Sequence, residues 1–195
     1  LTSLFYNALN TTIFKRSKQM NNILILYSTT DGHTLTISKR IANYLKTNSN
    51  ISVTPLINCT KDDLKNNDVI IIGASIRYGK HNPKVKEFIE NNLMILENKK
   101  NAFFTVNVVA RKENKNQPET NPYLIKFLKS ITWKPDIVDV FAGRLDYPSL
   151  NFWDKQIIRL IMYITKGPID LKKTYEFTDW NRVESFAQKI LNSSN

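Results

Sequence analysis

The sequence predicts an α/β fold in which a parallel sheet is doubly wound with helices. Two observations predict it. Apolar runs such as Ile23-Leu24-Ile25-Leu26 and Val69-Ile70-Ile71-Ile72 have strand length and no polar face, as strands buried on both sides do. Between such runs lie stretches whose apolar residues recur at helical spacing, and strands alternating with helices make a parallel sheet.

The elements follow in order. After the first strand comes a loop over 28–34 with no apolar residue, then Ile37, Ile41 and Leu45 on one helical face. Residues 51–57 read as a second strand, which Pro55 places at an edge. Residues 68–73 are the third strand. Residues 83–96 are a helix, with Pro83 in its first turn and Val85, Phe88 and Ile89 on one face. A fourth strand over 102–109, a helix over 120–131 and a fifth strand over 136–142 follow. The last helix spans 179–191, with Trp180, Val183, Phe186, Ala187 and Ile190 as its buried stripe.

Two segments stand apart. Residues 144–173 are too long for a simple connection. Within them 151–166 reads as an amphipathic helix, with Trp153, Ile157, Leu160, Ile161 and Ile164 on one face and Lys155, Arg159 and Lys166 on or beside the other. Such a face suits a membrane surface; it equally suits the protein's own sheet or a second subunit. Residues 1–19 contain Lys15, Arg16 and Lys18, many hydroxyls and no acid, and Met20 is a natural start before the first strand. A poorly ordered tail or loose helix is expected there, with one domain over 20–195.

The chain has 195 residues, enough for one domain with a sizeable core. Lysine plus arginine number 28 against 17 acids, a net charge of +11 that calls for an anionic partner. Nucleic acid is not expected, because the charge is dispersed and no helix-turn-helix, zinc or base-stacking motif is present. Cys59 is the only cysteine, so no internal disulfide forms, and with two histidines it makes no cluster of metal-site spacing. No stretch is apolar enough over the length needed to span a bilayer.

The loop Ser28-Thr29-Thr30-Asp31-Gly32-His33-Thr34 leads from a strand into a helix N-terminus, where free backbone N–H groups meet the positive end of a dipole. The Gly-Lys-Ser/Thr ending of the ATP-type loop is absent, and so are the three spaced glycines of the dinucleotide fingerprint. What remains is a small monophosphate held by hydroxyls and amides, or an ordinary polar turn with a capping hydroxyl.

The loop resembles the FMN phosphate loop of flavodoxins. With the stretches Ile72-Gly-Ala-Ser-Ile-Arg-Tyr-Gly79, Val106-Asn-Val-Val-Ala-Arg-Lys112 and Tyr175-Glu-Phe-Thr-Asp-Trp180, it resembles the menaquinone-dependent protoporphyrinogen IX dehydrogenases of bacterial haem synthesis, over roughly residues 22–190. The resemblance implies a flavodoxin-like five-stranded sheet of order 2-1-3-4-5, with 144–173 as a long-chain insertion. It implies FMN, with Ser28–Thr34 on the phosphate and Ser75, Ile76, Arg77, Tyr78, Gly79, Asn107, Val108, Val109, Ala110 and Arg111 flanking the ring. It implies six-electron oxidation of protoporphyrinogen IX to protoporphyrin IX, with menaquinone or ubiquinone as acceptor. A lipid-soluble acceptor favours membrane contact through 151–166, hence a peripheral protein at the cytoplasmic face of the bacterial inner membrane. Pairing of subunits stays open. So do two rivals on the same fold, a flavodoxin-type electron carrier and an NAD(P)H:quinone reductase.

No catalytic residue beyond the flavin is expected, since hydride acceptance belongs to the cofactor. Flavodoxins often stack aromatics on the ring; here Tyr78 is available, while Val108, Val109 and Ala110 leave one face open for a flat substrate. Arg77, Arg111 and Arg144 each leave the same sheet edge, and guanidinium forks match carboxylates. They are the expected clamp for the two propionates, set against a chance trio. His33 and His81 lie on the same loops, as proton carriers or merely as solvated side chains.

Overall fold

The computed structural model describes residues 21–193 except residue 48. The expected extension over 1–19 lies outside the described residues. Five parallel strands form the sheet: β1 (Asn21–Ser28), β2 (Ser49–Pro55), β3 (Val69–Arg77), β5 (Lys100–Asn107) and β6 (Ile137–Ala142), in the order β2-β1-β3-β5-β6. This is the expected order, and β2 with Pro55 is an edge. A sixth strand, β4 (Lys80–His81), folds back on β3 as an antiparallel hairpin, pairing Ile76 with His81. Two residues are too few to leave a periodic signal.

Side-chain alternation along these strands builds two cores. Leu24, Leu26, Ile70, Ile72 and Phe103 face one way, onto α3 (Pro83–Asn91), α4 (Leu93–Glu97) and α5 (Pro122–Lys129). Ile23, Ile25, Ile71 and Phe104 face the other, onto α1 (His33–Leu45) and α7 (Trp180–Ser193). Gly73 leaves room for the Phe104 ring, whose tip lies 2.1 Å from where a Cβ would stand. On α7, Val183, Phe186, Ala187 and Ile190 are fully buried as expected, and Trp180 is partly so. Arg182 of α7 reaches the buried carboxylate of Asp139 on β6 (Nε–Oδ1 3.0 Å).

Several boundaries differ from expectation. The single helix over 83–96 is two, because Asn92 leaves helical geometry (φ −122°): its backbone amide donates to the Ile89 carbonyl and its side-chain amide to the Phe88 carbonyl. The fourth sequence strand ends at Asn107, whose Oδ1 accepts from the Ala110 amide and starts a 3-10 turn over Val108–Arg111. The helix over 120–131 is shorter, Pro122–Lys129, capped by Asn121. The short helix α2 (Lys61–Lys65) went unread, although Thr60 and Asp63 form a reciprocal capping box at its start.

The segment after β6 opens with β7 (Arg144–Asp146), continues through a turn into α6 (Phe152–Ile164), and returns as β8 (Thr174–Glu176), antiparallel to β7. A third small core of Leu145, Tyr147 and Met162 holds it, with Val108, Leu150 and Ile158 against it.

Candidate active site

The C-terminal ends of β1, β3, β5 and β6 open onto one edge, where ligands of open α/β sheets bind. A cavity of about 270 Å³ lies there. Asp31, Ile76, Arg77, Tyr78, Gly79, Asn107, Val108, Val109, Arg111 and Arg144 line it, so all four expected loops meet in one place. Ser75 and Ala110 do not line it: Ala110 is buried in the first core, and Ser75 sits within the β3 ladder opposite Val106. The Ala110 Cβ points inward because Asn107 caps the turn that carries it.

At the first loop, Gly32 is the N-cap of α1 in left-handed geometry (φ 79°), and no side chain caps the helix. The first-turn amides are thus left for a ligand. Thr34 in that turn is fully buried, and its hydroxyl has no hydrogen-bond partner. A buried hydroxyl without a partner costs about 1–3 kcal/mol; the hydroxyls of Ser38 and Ser49 and the Trp133 indole nitrogen are in the same state. Ser28 and Thr29 are half-buried, and Thr30 and Asp31 are exposed.

The two histidines leave the rim. His33 is buried, bonds the Thr178 hydroxyl (Nε2–Oγ1 2.6 Å) and meets Trp180 edge-on. His81 bonds Thr105 and packs on Phe103 and Phe127, and burial pushes its pKa down to about 4. Neither lines the cavity. Both rings are held by hydroxyl and aromatic partners rather than solvated on the rim.

The arginines are all at the cavity, but they are not equally free. Arg77 is gripped by two carboxylates, Asp31 (Nη1–Oδ1 2.7 Å) and Asp154 of α6. Asp154 also accepts from the Tyr78 hydroxyl, and that shared bond pushes the phenol up and the carboxyl down. Tyr78 is half-exposed in left-handed backbone (φ 49°), beside the Arg77 guanidinium at 5.4 Å. Arg111 donates to the Val108 carbonyl and to both oxygens of Thr165, the C-cap of α6. Arg144 is the most open and stands 3.6 Å from Asp146. The trio meets, yet two of its members are held by the protein itself.

The remaining wall was not legible in the sequence. Ile158, Ile161, Met162 and Thr165 bring α6 over the cavity, and Tyr123 closes it beside Gly79. Lys112 and Lys115 line it as well. The inner row of α6 is Asp154, Ile158 and Met162, spaced by four. The outer face carries Trp153 (74 % exposed), Leu160 (60 %) and Ile164 (69 %), with Ile157 and Ile161 also exposed. The apolar face read from the sequence therefore does not pack on the sheet.

The flavodoxin domain family matches residues 24–172. A protein of Escherichia coli strain K12 named protoporphyrinogen IX dehydrogenase [quinone] is 39% identical over 168 residues, 86% of this chain and 93% of that one. One of the same name from Leishmania major is 40% identical over 173 residues, 88% of this chain and 75% of that one. Among solved structures, a short-chain flavodoxin associated with a non-canonical PDU bacterial microcompartment aligns with a TM-score of 0.54 at 12% identity, over 90% of this chain and all of that one. The chain belongs to the flavodoxin domain family and, within it, to the family of the protoporphyrinogen IX dehydrogenases [quinone].

Proposed function

We propose that the chain is an FMN-dependent protoporphyrinogen IX dehydrogenase that passes electrons to a quinone. The observation that carries this reading is the cavity at the sheet edge, walled by the flavodoxin loops on one side and the apolar helix α6 on the other. The residues present fit FMN. An uncapped helix start, a left-handed glycine and the unpartnered Thr34 hydroxyl suit its phosphate. Ile76, Arg77, Tyr78, Asn107, Val108 and Val109 offer the ring a half-polar slot. Bound FMN supplies two-electron oxidation.

Protoporphyrinogen IX loses six electrons and six protons, so three quinones become three quinols per porphyrin. The chain's own part is to bind, orient and shield. Asp154 holds Arg77 and Tyr78 at the cavity mouth, and Arg111 ties the turn at 108–111 to the end of α6. The apolar residues Ile158, Ile161 and Met162 suit the body of a macrocycle. Of the three arginines expected as a carboxylate clamp, Arg77 and Arg111 are already held by the protein itself. A carrier flavodoxin needs no such wall.

The exposed face of α6 supports peripheral membrane contact at a cytoplasmic surface. Trp153, Ile157 and Leu160 suit the acyl boundary, and Arg159 and Lys166 suit anionic headgroups. No helix among the described residues is long and apolar enough to cross a membrane. The same face suits a second copy of the chain. Anaerobic incubation with protoporphyrinogen IX and menaquinone tests the activity. Porphyrin fluorescence that requires both flavin and quinone supports it, and its absence from flavin-loaded protein refutes it.

A further inference from the structure

We infer that Lys112 and Lys115 form the carboxylate-recognising subsite of the cavity and take the propionate edge of the substrate. The inference rests on the porphyrinogen reading above. Five cations line the cavity, Arg77, Arg111, Lys112, Lys115 and Arg144, against the carboxylates Asp31 and Asp146. Arg77 faces Asp31 and Asp154, Arg111 is spent on carbonyls and Thr165, and Arg144 stands near Asp146. Among the described residues, neither lysine ammonium joins an ion pair or a side-chain hydrogen bond. They are the uncompensated charge of the site.

Their backbone is fixed. The Lys112 amide donates to Val109 (3.1 Å) and the Lys115 amide to Lys112 (2.8 Å). The Lys115 carbonyl accepts from Asn121, whose amide also reaches Asn107 at the foot of the same turn. Both lysines are half-buried. The wall of α6 is apolar. A flat, apolar ligand with carboxylates on one edge matches this division.

Lysine rather than arginine also suits the chemistry. Three successive two-electron steps act on different positions of one macrocycle, which must turn between them. A planar guanidinium fork fixes one orientation, whereas an ammonium on a four-carbon stem follows a moving carboxylate.

The test uses the flavin-loaded protein and measures binding of protoporphyrin IX and its dimethyl ester by fluorescence, so that it reads out whether or not turnover occurs. Lys112→Gln/Lys115→Gln should weaken the diacid roughly a hundredfold and leave the ester unchanged, each lost charge-assisted bond accounting for about tenfold. The double Lys→Arg variant should restore diacid affinity. Added salt should weaken the diacid on the wild type and much less on the double Gln variant. Flavin content of each variant, read by absorbance, should match wild type. Equal loss for diacid and ester, or no loss for either, overturns the subsite. A wild type that binds the diacid through these lysines yet turns over no porphyrinogen leaves the subsite standing and overturns the activity instead.

Discussion

Thr34 keeps a buried hydroxyl with nothing to bond, and that oddity yields a two-sided prediction. Thr34→Val removes the orphaned oxygen and keeps the shape. The flavin-free protein should be as stable or slightly more so in urea, while FMN affinity should fall by about 1.5–3 kcal/mol in a flavin titration. Loss of stability without loss of affinity would make the hydroxyl structural. His81 gives a second residue-scale prediction. Its folded pKa of about 4 lies below the unfolded 6.5, so the unfolded chain binds the extra proton between them. That contribution to stability is complete above about pH 6.5 and is lost as pH falls toward 4, amounting to about 3 kcal/mol. His33 is shifted the same way by burial and adds to the slope. His81→Gln should flatten urea stability over that window; an unchanged slope would show that other groups cause it. The sequence placed both histidines on loops, whereas His33 opens α1 and His81 ends β4. It had no means of showing that their partners are Thr178 and Thr105, 145 and 24 residues away.

Helix α6 decides the reading at the level of elements. Its heptad-like stripe was legible, but its orientation was not, because a stripe says that a face is apolar and not what covers it. The protein uses the row of Asp154, Ile158 and Met162 inward and leaves Trp153, Ile157 and Leu160 outward. Changing Ile157 and Leu160 to glutamate should release the protein from anionic vesicles in a flotation assay, with fold and bound FMN kept. Loss of FMN would make the face part of the site; retained vesicle binding with a fall in oligomer size would assign it to a subunit interface. Lys166 ends the helix in left-handed backbone (φ 55°), and the Gly167 amide donates to the Met162 carbonyl (2.7 Å). A Cβ on Gly167 would stand 2.3 Å from the Met162 methyl and 2.9 Å from the Arg111 guanidinium, both tips of flexible side chains that can give way, so Gly167→Ala should cost less than about 1 kcal/mol in thermal unfolding. Elements of six residues or more were legible in kind, with ends off by a few residues. Those of two to five residues, β4, β7, β8 and α2, were not, since so short a run carries no period.

At the scale of the molecule, the doubly wound parallel sheet was legible, because strands without a polar face are buried on both sides; its strand order followed from the resemblance to flavodoxins. So was the cavity's place, since doubly wound sheets gather their loops at one edge. What escaped was the pairing of charges. Arg77 and Asp154 are 77 residues apart, and nothing in a sequence says that one neutralises the other. Lys112 and Lys115 looked like part of a dispersed +11 and prove to line the cavity. The central claim is that this cavity couples a six-electron macrocycle oxidation to quinone reduction. The most direct test is anaerobic stoichiometry: limiting protoporphyrinogen IX, excess menaquinone, catalytic flavin-loaded protein, with porphyrin and quinol both counted. Three quinols per protoporphyrin IX are expected, with a rate that follows the amount of protein. Porphyrin formed without matching quinol, or quinol formed only when NAD(P)H is added, would contradict that claim.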